Sequence, residues 1–193
     1  GNKIKVLTLY ALSTENYLYR SNEEVSGLVE LLFKSIMDNL DELQHNNVSL
    51  KVIGNLSVLP EDLISTIQLA EQKTQCNTKL KLILAINYSG QWDILQASKK
   101  YHQYCAQNNI VEDSTALFSD FLATGNNPPP DLLIRTGGCH RLSNFLLWQC
   151  AYTELYFCNE YWPDFNESMF TKILKTCAQT QRKFGRVLEE VET

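Results

Sequence analysis

Short apolar runs rich in β-branched residues, at positions 5–11, 50–53, 80–86, 132–134 and 154–157, alternate with longer stretches whose apolar residues recur at helical spacing. That alternation is the signature of βαβ units, so it predicts an α/β fold with a mostly parallel central sheet flanked by helices. Val25, Leu28, Val29, Leu32, Ile36, Leu40 and Leu43 share one face of a 3.6-residue period. A second helix is predicted after Pro60, carrying Leu63, Ile64, Ile67 and Ala70, and a third over 90–104. The last is predicted over 167–183, with Met169, Phe170, Ile173, Leu174 and Cys177. Three prolines in 125–130 favour an extended approach to the next strand. With 193 residues, 44% of them hydrophobic, the whole of 1–193 suits one core and one domain.

Charge narrows the partners. Lys and Arg number 17 against 22 Asp and Glu, a formal net charge of -5, which excludes a broad nucleic-acid footprint and leaves any anion to a local cluster. The six cysteines form no C-x-x-C pair and no zinc-like spacing, so reduced thiols in a cytoplasmic protein are expected. No apolar run approaches the roughly 20 residues that cross a bilayer.

In open parallel sheets ligands bind beyond the carboxyl ends of strands, and four runs end in polar residues. These are Ser13-Thr14-Glu15-Asn16, Gly54-Asn55, Asn87-Tyr88-Ser89-Gly90 and Arg135-Thr136-Gly137-Gly138. A cleft there would gather Arg135, Glu15 and Asn87.

The stretch from Arg135 to Ser143, R-T-G-G-C-H-R-L-S, concentrates two guanidinium groups, two hydroxyls and two glycines after a buried strand. Arginine forks grip phosphate oxygens bidentately, glycines let backbone N–H groups approach, and Ser143 could cap a helix beginning at Asn144. The competing reading makes the arginines surface partners of the excess acids. Glu154, entering the run Leu155-Tyr156-Phe157, is either an ordinary solvent-facing strand residue or, beside a diphosphate clamp, a Mg²⁺ ligand. His140 reads as a helper or bystander, His45 and His102 as solvated. Trp92, Trp148 and Trp162 read as core. Tyr17-Leu18-Tyr19-Arg20 is either a flexible lip or merely a loop.

Three segments, LTLYALSTEN (7–16), NYSGQWDI (87–94) and PDLLIRTGGCHRLSNFLLWQCAYTELYFCNEYWPDF (130–165), closely resemble the cis-prenyltransferases, especially the bacterial undecaprenyl diphosphate synthases. The resemblance implies a sheet-and-helix fold enclosing a long apolar tunnel, a homodimer, and Mg²⁺ as cofactor. It implies isopentenyl diphosphate as extender and an allylic diphosphate, usually farnesyl diphosphate, as primer, with transient membrane association through the product. Carried over residue by residue, Arg135, Arg141 and Ser143 resemble the clamp on isopentenyl diphosphate, and Glu154 the carboxylate that helps hold Mg²⁺. Ser13, Glu15 and Asn16 match the S-x-E-N of the catalytic site. Arg20, Asn87 and Arg182 join the substrate-binding set, Arg182 from the R-K-F-G that resembles a tail reaching a partner subunit.

Departures accompany the match. The family's D-G-N-G-R-W-A motif and the basic and His residues after it do not occur in these 193 residues, and the expectation is a further catalytic segment upstream of Gly1. E-N-W-x-R-P becomes E-N-Y-L-Y-R-S, aligning Arg20 only with one inserted residue. N-Y-G-G-R becomes N-Y-S-G-Q, and the Glu common after R-T-[SG]-G is Cys139. Two rivals stand beside the enzyme: a non-catalytic partner subunit on the same fold, and a generic nucleotide-binding domain. The absence of G-x-G-x-x-G and G-x-x-x-x-G-K-[ST] counts against the second.

Overall fold

A computed structural model describes residues 4–111 and 114–179. The chain divides into two compact units, Gly1–Asn127 and Pro128–Thr193.

The first unit runs β1 (Val6–Ser13), α1 (Thr14–Tyr19), α2 (Asn22–His45), β2 (Val48–Ile53), α3 (Glu61–Thr74), β3 (Leu80–Tyr88), α4 (Gly90–Asn108) and α5 (Thr115–Ser119). Its sheet has the order β1-β3-β2, and both pairings are parallel. The predicted runs at 5–11, 50–53 and 80–86 are the cores of these strands. β3 lies in the middle because it carries the most apolar stretch, and Ile83, Ala85 and Ile86 are fully buried. One layer of the core is Ile36 and Leu40 of α2, Leu63, Ile67 and Ala70 of α3, and Leu50, Val52, Leu12 and Ile86 of the sheet. Each Leu- or Ile-sized side chain so buried contributes roughly 1.5–3 kcal/mol. Ser21 and Glu24 close a reciprocal capping box that starts α2.

β2 is an edge strand, and α3 occupies two of its N–H groups. Leu50 N–H donates to Thr74 Oγ1 at 3.0 Å and Val52 N–H to Glu71 Oε1 at 2.7 Å. Glu71 also pairs with Lys51 at 3.1 Å. The helix thereby blunts an edge that would otherwise recruit another strand.

The carboxyl end of this sheet is irregular. Ala11 is skipped in the register between Tyr10↔Ala85 and Leu12↔Ile86, and Asn87 is skipped before Ser13↔Tyr88. Asn87 accordingly adopts a left-handed φ of 46°. Beside it Gly54, at φ 127°, brings its backbone so close that a Cβ would sit 1.9 Å from Ile86 O. On the leucine-rich face, Leu7, Leu9, Leu50, Leu82 and Leu84 line a cavity of about 440 Å³ with Ile36 of α2.

The second unit pairs β4 (Leu132–Arg135) with β5 (Glu154–Phe157) in parallel and ends in α6 (Glu167–Gln179). The helix expected to follow Ser143 does not form. Ser143, Asn144 and Leu146 take φ of 48°, 63° and 44°, which a right-handed helix cannot accommodate, so the connection is a chain of turns. Residues 180–183 of the predicted last helix lie outside the described residues.

Candidate active site

The arginine loop is built on the exit of β4. Arg135 ends the strand opposite Phe157, and its carbonyl accepts from Cys158 N at 2.9 Å. Its side chain turns back over the loop: Nη1 donates to Arg141 O at 2.8 Å and to Ser143 Oγ at 2.6 Å. One guanidinium thus ties together the three residues predicted as a clamp. The left-handed φ of Ser143 aids this closure. Among the described residues the other N–H groups of Arg135 have no protein acceptor, and Arg141 is exposed.

The glycines serve differently from expectation. Gly137 and Gly138 have φ of 83° and 69°, but the Gly137 N–H donates to Glu160 O at 2.7 Å and the Gly138 N–H to Cys158 O at 2.9 Å. They are committed to the segment after β5, so these donors shape the loop and leave an anion to the side chains. His140 is exposed with its ring 5.0 Å from that of Phe157. Cys139 is half-buried and free. Burial raises the thiol pKa of Cys150, offset in part by a hydrogen bond with Thr153. Burial also raises that of Cys158, with neighbouring Glu160 adding to it.

Glu154 is half-buried and heads β5 opposite Leu132, whereas Arg135 closes β4 opposite Phe157. Three strand residues, about 10 Å, separate the two levels. Among the described residues there is no group of three metal-ligating side chains. A single carboxylate does fit Mg²⁺ held jointly with substrate oxygens and water, the usual way proteins bind that ion.

The other predicted residues belong to the first unit. Ser13 ends β1 and caps α1, its Oγ accepting from Asn16 N at 3.0 Å. Glu15 lies in the first turn and is half-buried. The segment predicted as a lip or loop is helical through Tyr19, and Tyr17 Oη donates to Val58 O at 3.0 Å. Arg20 is the exposed C-cap, its N–H donating to Asn16 O at 3.1 Å. Asn87 is 3% exposed and clasps the end of β2, with Nδ2 donating to Asn55 O at 2.8 Å and its carbonyl accepting from Asn55 N at 3.1 Å. Arg182 lies outside the described residues.

Two features escaped the sequence reading. Trp162 is 64% exposed and stacked on Phe165, so it is not core, while Trp92 and Trp148 are half-buried. Thr14 Oγ1 and Asn87 Oδ1 are buried with no hydrogen-bond partner among the described residues. The sequence marked Thr14 only as part of the polar run after the first strand, with nothing to show that its hydroxyl is buried.

Parallel strands covered by helices, with an arginine-centred loop at a strand exit, define an α/β protein suited to an anionic ligand. The family model described as "Putative undecaprenyl diphosphate synthase" matches residues 1–185. The chain belongs to this cis-prenyltransferase family, which sets aside the generic nucleotide-binding reading. It is 45% identical over 191 residues to the ditrans,polycis-undecaprenyl-diphosphate synthase of Coxiella burnetii, specific for (2E,6E)-farnesyl diphosphate, covering 98% of this chain and 80% of that one. Similarity to the isoprenyl transferase of Chlamydia caviae is 45% identity over 185 residues, covering 95% and 74%. Among solved structures, lavandulyl diphosphate synthase of Lavandula x intermedia, in complex with dimethylallyl diphosphate, superposes with a TM-score of 0.86 at 37% identity, covering 94% and 79%.

Proposed function

We propose that this protein is a transferase that condenses isopentenyl diphosphate onto farnesyl diphosphate with cis geometry, building a long polyprenyl diphosphate. The observation that carries the reading is the Arg135 guanidinium, anchored on Arg141 O and Ser143 Oγ while its remaining N–H groups have no acceptor among the described residues. A fork held in this way meets a diphosphate without reorganising first, which is where electrostatic stabilisation acts most strongly. Arg135, Arg141 and Ser143 hold the extender. Its double bond forms the new C–C bond as the allylic C–O bond breaks, the electron pair leaves with diphosphate, and a proton is then lost from the extender. Alignment of the two substrates supplies much of the remaining acceleration. Glu154 would hold Mg²⁺, whose charge would neutralise the departing diphosphate.

Within the first unit, Ser13, Glu15 and Asn16 are assigned catalytic roles and Arg20 and Asn87 substrate binding, and the cavity against the leucine-rich sheet face is assigned to the growing chain. The protein is read as a cytoplasmic homodimer that meets the membrane through its product. Free cysteines, and the lack among the described residues of a helix long and apolar enough to cross a bilayer, support that placement. Full-length protein supplied with Mg²⁺, farnesyl diphosphate and labelled isopentenyl diphosphate is expected to yield labelled polyprenyl products whose added double bonds are cis. Folded protein that gives no product would instead support the partner-subunit reading.

A further inference from the structure

The clasp at the carboxyl end of the three-stranded sheet fixes which end of the Asn87 amide is free. Nδ2 is occupied, donating to Asn55 O at 2.8 Å, and so the atom with no partner among the described residues is Oδ1. An amide oxygen accepts and cannot donate. It therefore cannot pair with a phosphate oxygen, which also only accepts. The side chain is 97% buried, being 3% exposed, and a buried acceptor without a partner is costly enough that a donor normally fills the place. The register places a second unpartnered group, Thr14 Oγ1, at the same strand ends: Ser13 lies opposite Tyr88, with Thr14 following the one and Asn87 preceding the other. A buried acceptor without a protein partner is the kind of group that ordered waters satisfy in protein interiors.

We propose that Asn87 is a positioning residue that holds an ordered water through Oδ1 at the carboxyl edge of the sheet, instead of binding diphosphate as a donor. The water, a donor on both protons, carries the link onward to whatever anionic oxygen docks there. The inference rests on the prenyltransferase reading and refines one of its assignments. The backbone serves the same end. A left-handed φ of 46° at a residue skipped by the register turns this amide out of the ladder, and asparagine tolerates that conformation better than most residues.

Two substitutions in the full-length protein separate acceptor from donor. Asn87→Asp keeps the Oδ1 acceptor but loses the Nδ2 tie to Asn55 O, so its melting temperature should fall while KM for both diphosphates stays within about threefold of wild type. A carboxylate put where an amide had donated to phosphate would raise KM at least about tenfold. Asn87→Gly suits the left-handed backbone but removes the acceptor, and should lower kcat about tenfold while Asn87→Asp restores most of it. Melting temperatures of both variants identify any that fail to fold. In that event a wild-type crystal structure at a resolution that shows waters decides the matter: a water within hydrogen-bonding distance of Oδ1 supports the proposal. An empty site, or a substrate phosphate against the Asn87 amide, overturns it, as does Asn87→Gly with wild-type kcat. Wild-type protein without any activity would count against the functional reading and leave the water to diffraction alone.

Discussion

Replacing Arg135 with lysine keeps the positive charge and removes the fork, which isolates the geometry on which the loop depends. In the native loop Nη1 is spent on two bonds, to Arg141 O and Ser143 Oγ at 2.8 and 2.6 Å, and the remaining N–H groups face no described acceptor. Lysine has one nitrogen on a flexible stem, so it can hold the loop or meet the anion but not do both from one planar group. Losing one hydrogen bond to a charged group costs roughly 1.5–3 kcal/mol. At 1.4 kcal/mol per tenfold, Arg135→Lys should lower kcat/KM for isopentenyl diphosphate by about 10- to 150-fold. Ser143→Ala removes the second tie and the hydroxyl's own contact with the diphosphate but leaves the fork in place, and should cost less, about 3- to 10-fold. Initial rates with labelled isopentenyl diphosphate, at saturating primer and Mg²⁺, give both numbers. Arg135→Lys within twofold of wild type, or Ser143→Ala worse than Arg135→Lys, would refute the argument that the fork is what the loop is built around.

Glu154→Gln should raise the Mg²⁺ concentration for half-maximal rate about tenfold, since a neutral amide is a weaker ligand for a hard cation; an unchanged Mg²⁺ dependence would remove Glu154 from the metal's surroundings. Thr74→Val leaves the Leu50 N–H buried and unpaired, at about 1–3 kcal/mol, which for a chain of this size lowers Tm by roughly 2–12 °C in a thermal melt. Cys150 and Cys158 have raised thiol pKa values, so the stability they contribute is complete below the ordinary thiol range and is lost as pH rises through the raised values. Alkylation at mildly alkaline pH, read by peptide mass spectrometry, should accordingly modify exposed Cys76 well before either of them.

The strands were legible because their apolar runs are long enough to show the alternation with helices, and the strand exits were legible because polar residues follow each run. What the sequence could not show was the backbone conformation of residues with no periodic pattern. Asn144 to Gln149 carries enough apolar residues to suggest a helix, yet the left-handed angles at Ser143, Asn144 and Leu146 come from closing the loop onto Arg135, a tertiary effect. α1 was missed for the opposite reason: six residues are too short for periodicity, and the Ser13 cap that starts it was read only as part of a motif. The glycines of R-T-G-G were rightly marked as special, but spacing alone could not tell that their N–H groups face Cys158 and Glu160. Nor could it tell that Glu154 enters its strand at the level of Leu132, away from the exit where Arg135 stands.

The most direct measurement is a crystal structure of the full-length protein with isopentenyl diphosphate, Mg²⁺ and an unreactive allylic thiodiphosphate. The account predicts the extender's diphosphate within hydrogen-bonding distance of the free N–H groups of Arg135, of Arg141 and of Ser143, with the Arg135 tie to Arg141 O intact. A diphosphate bound elsewhere, or one that reaches Arg135 only after that tie has broken, would contradict it.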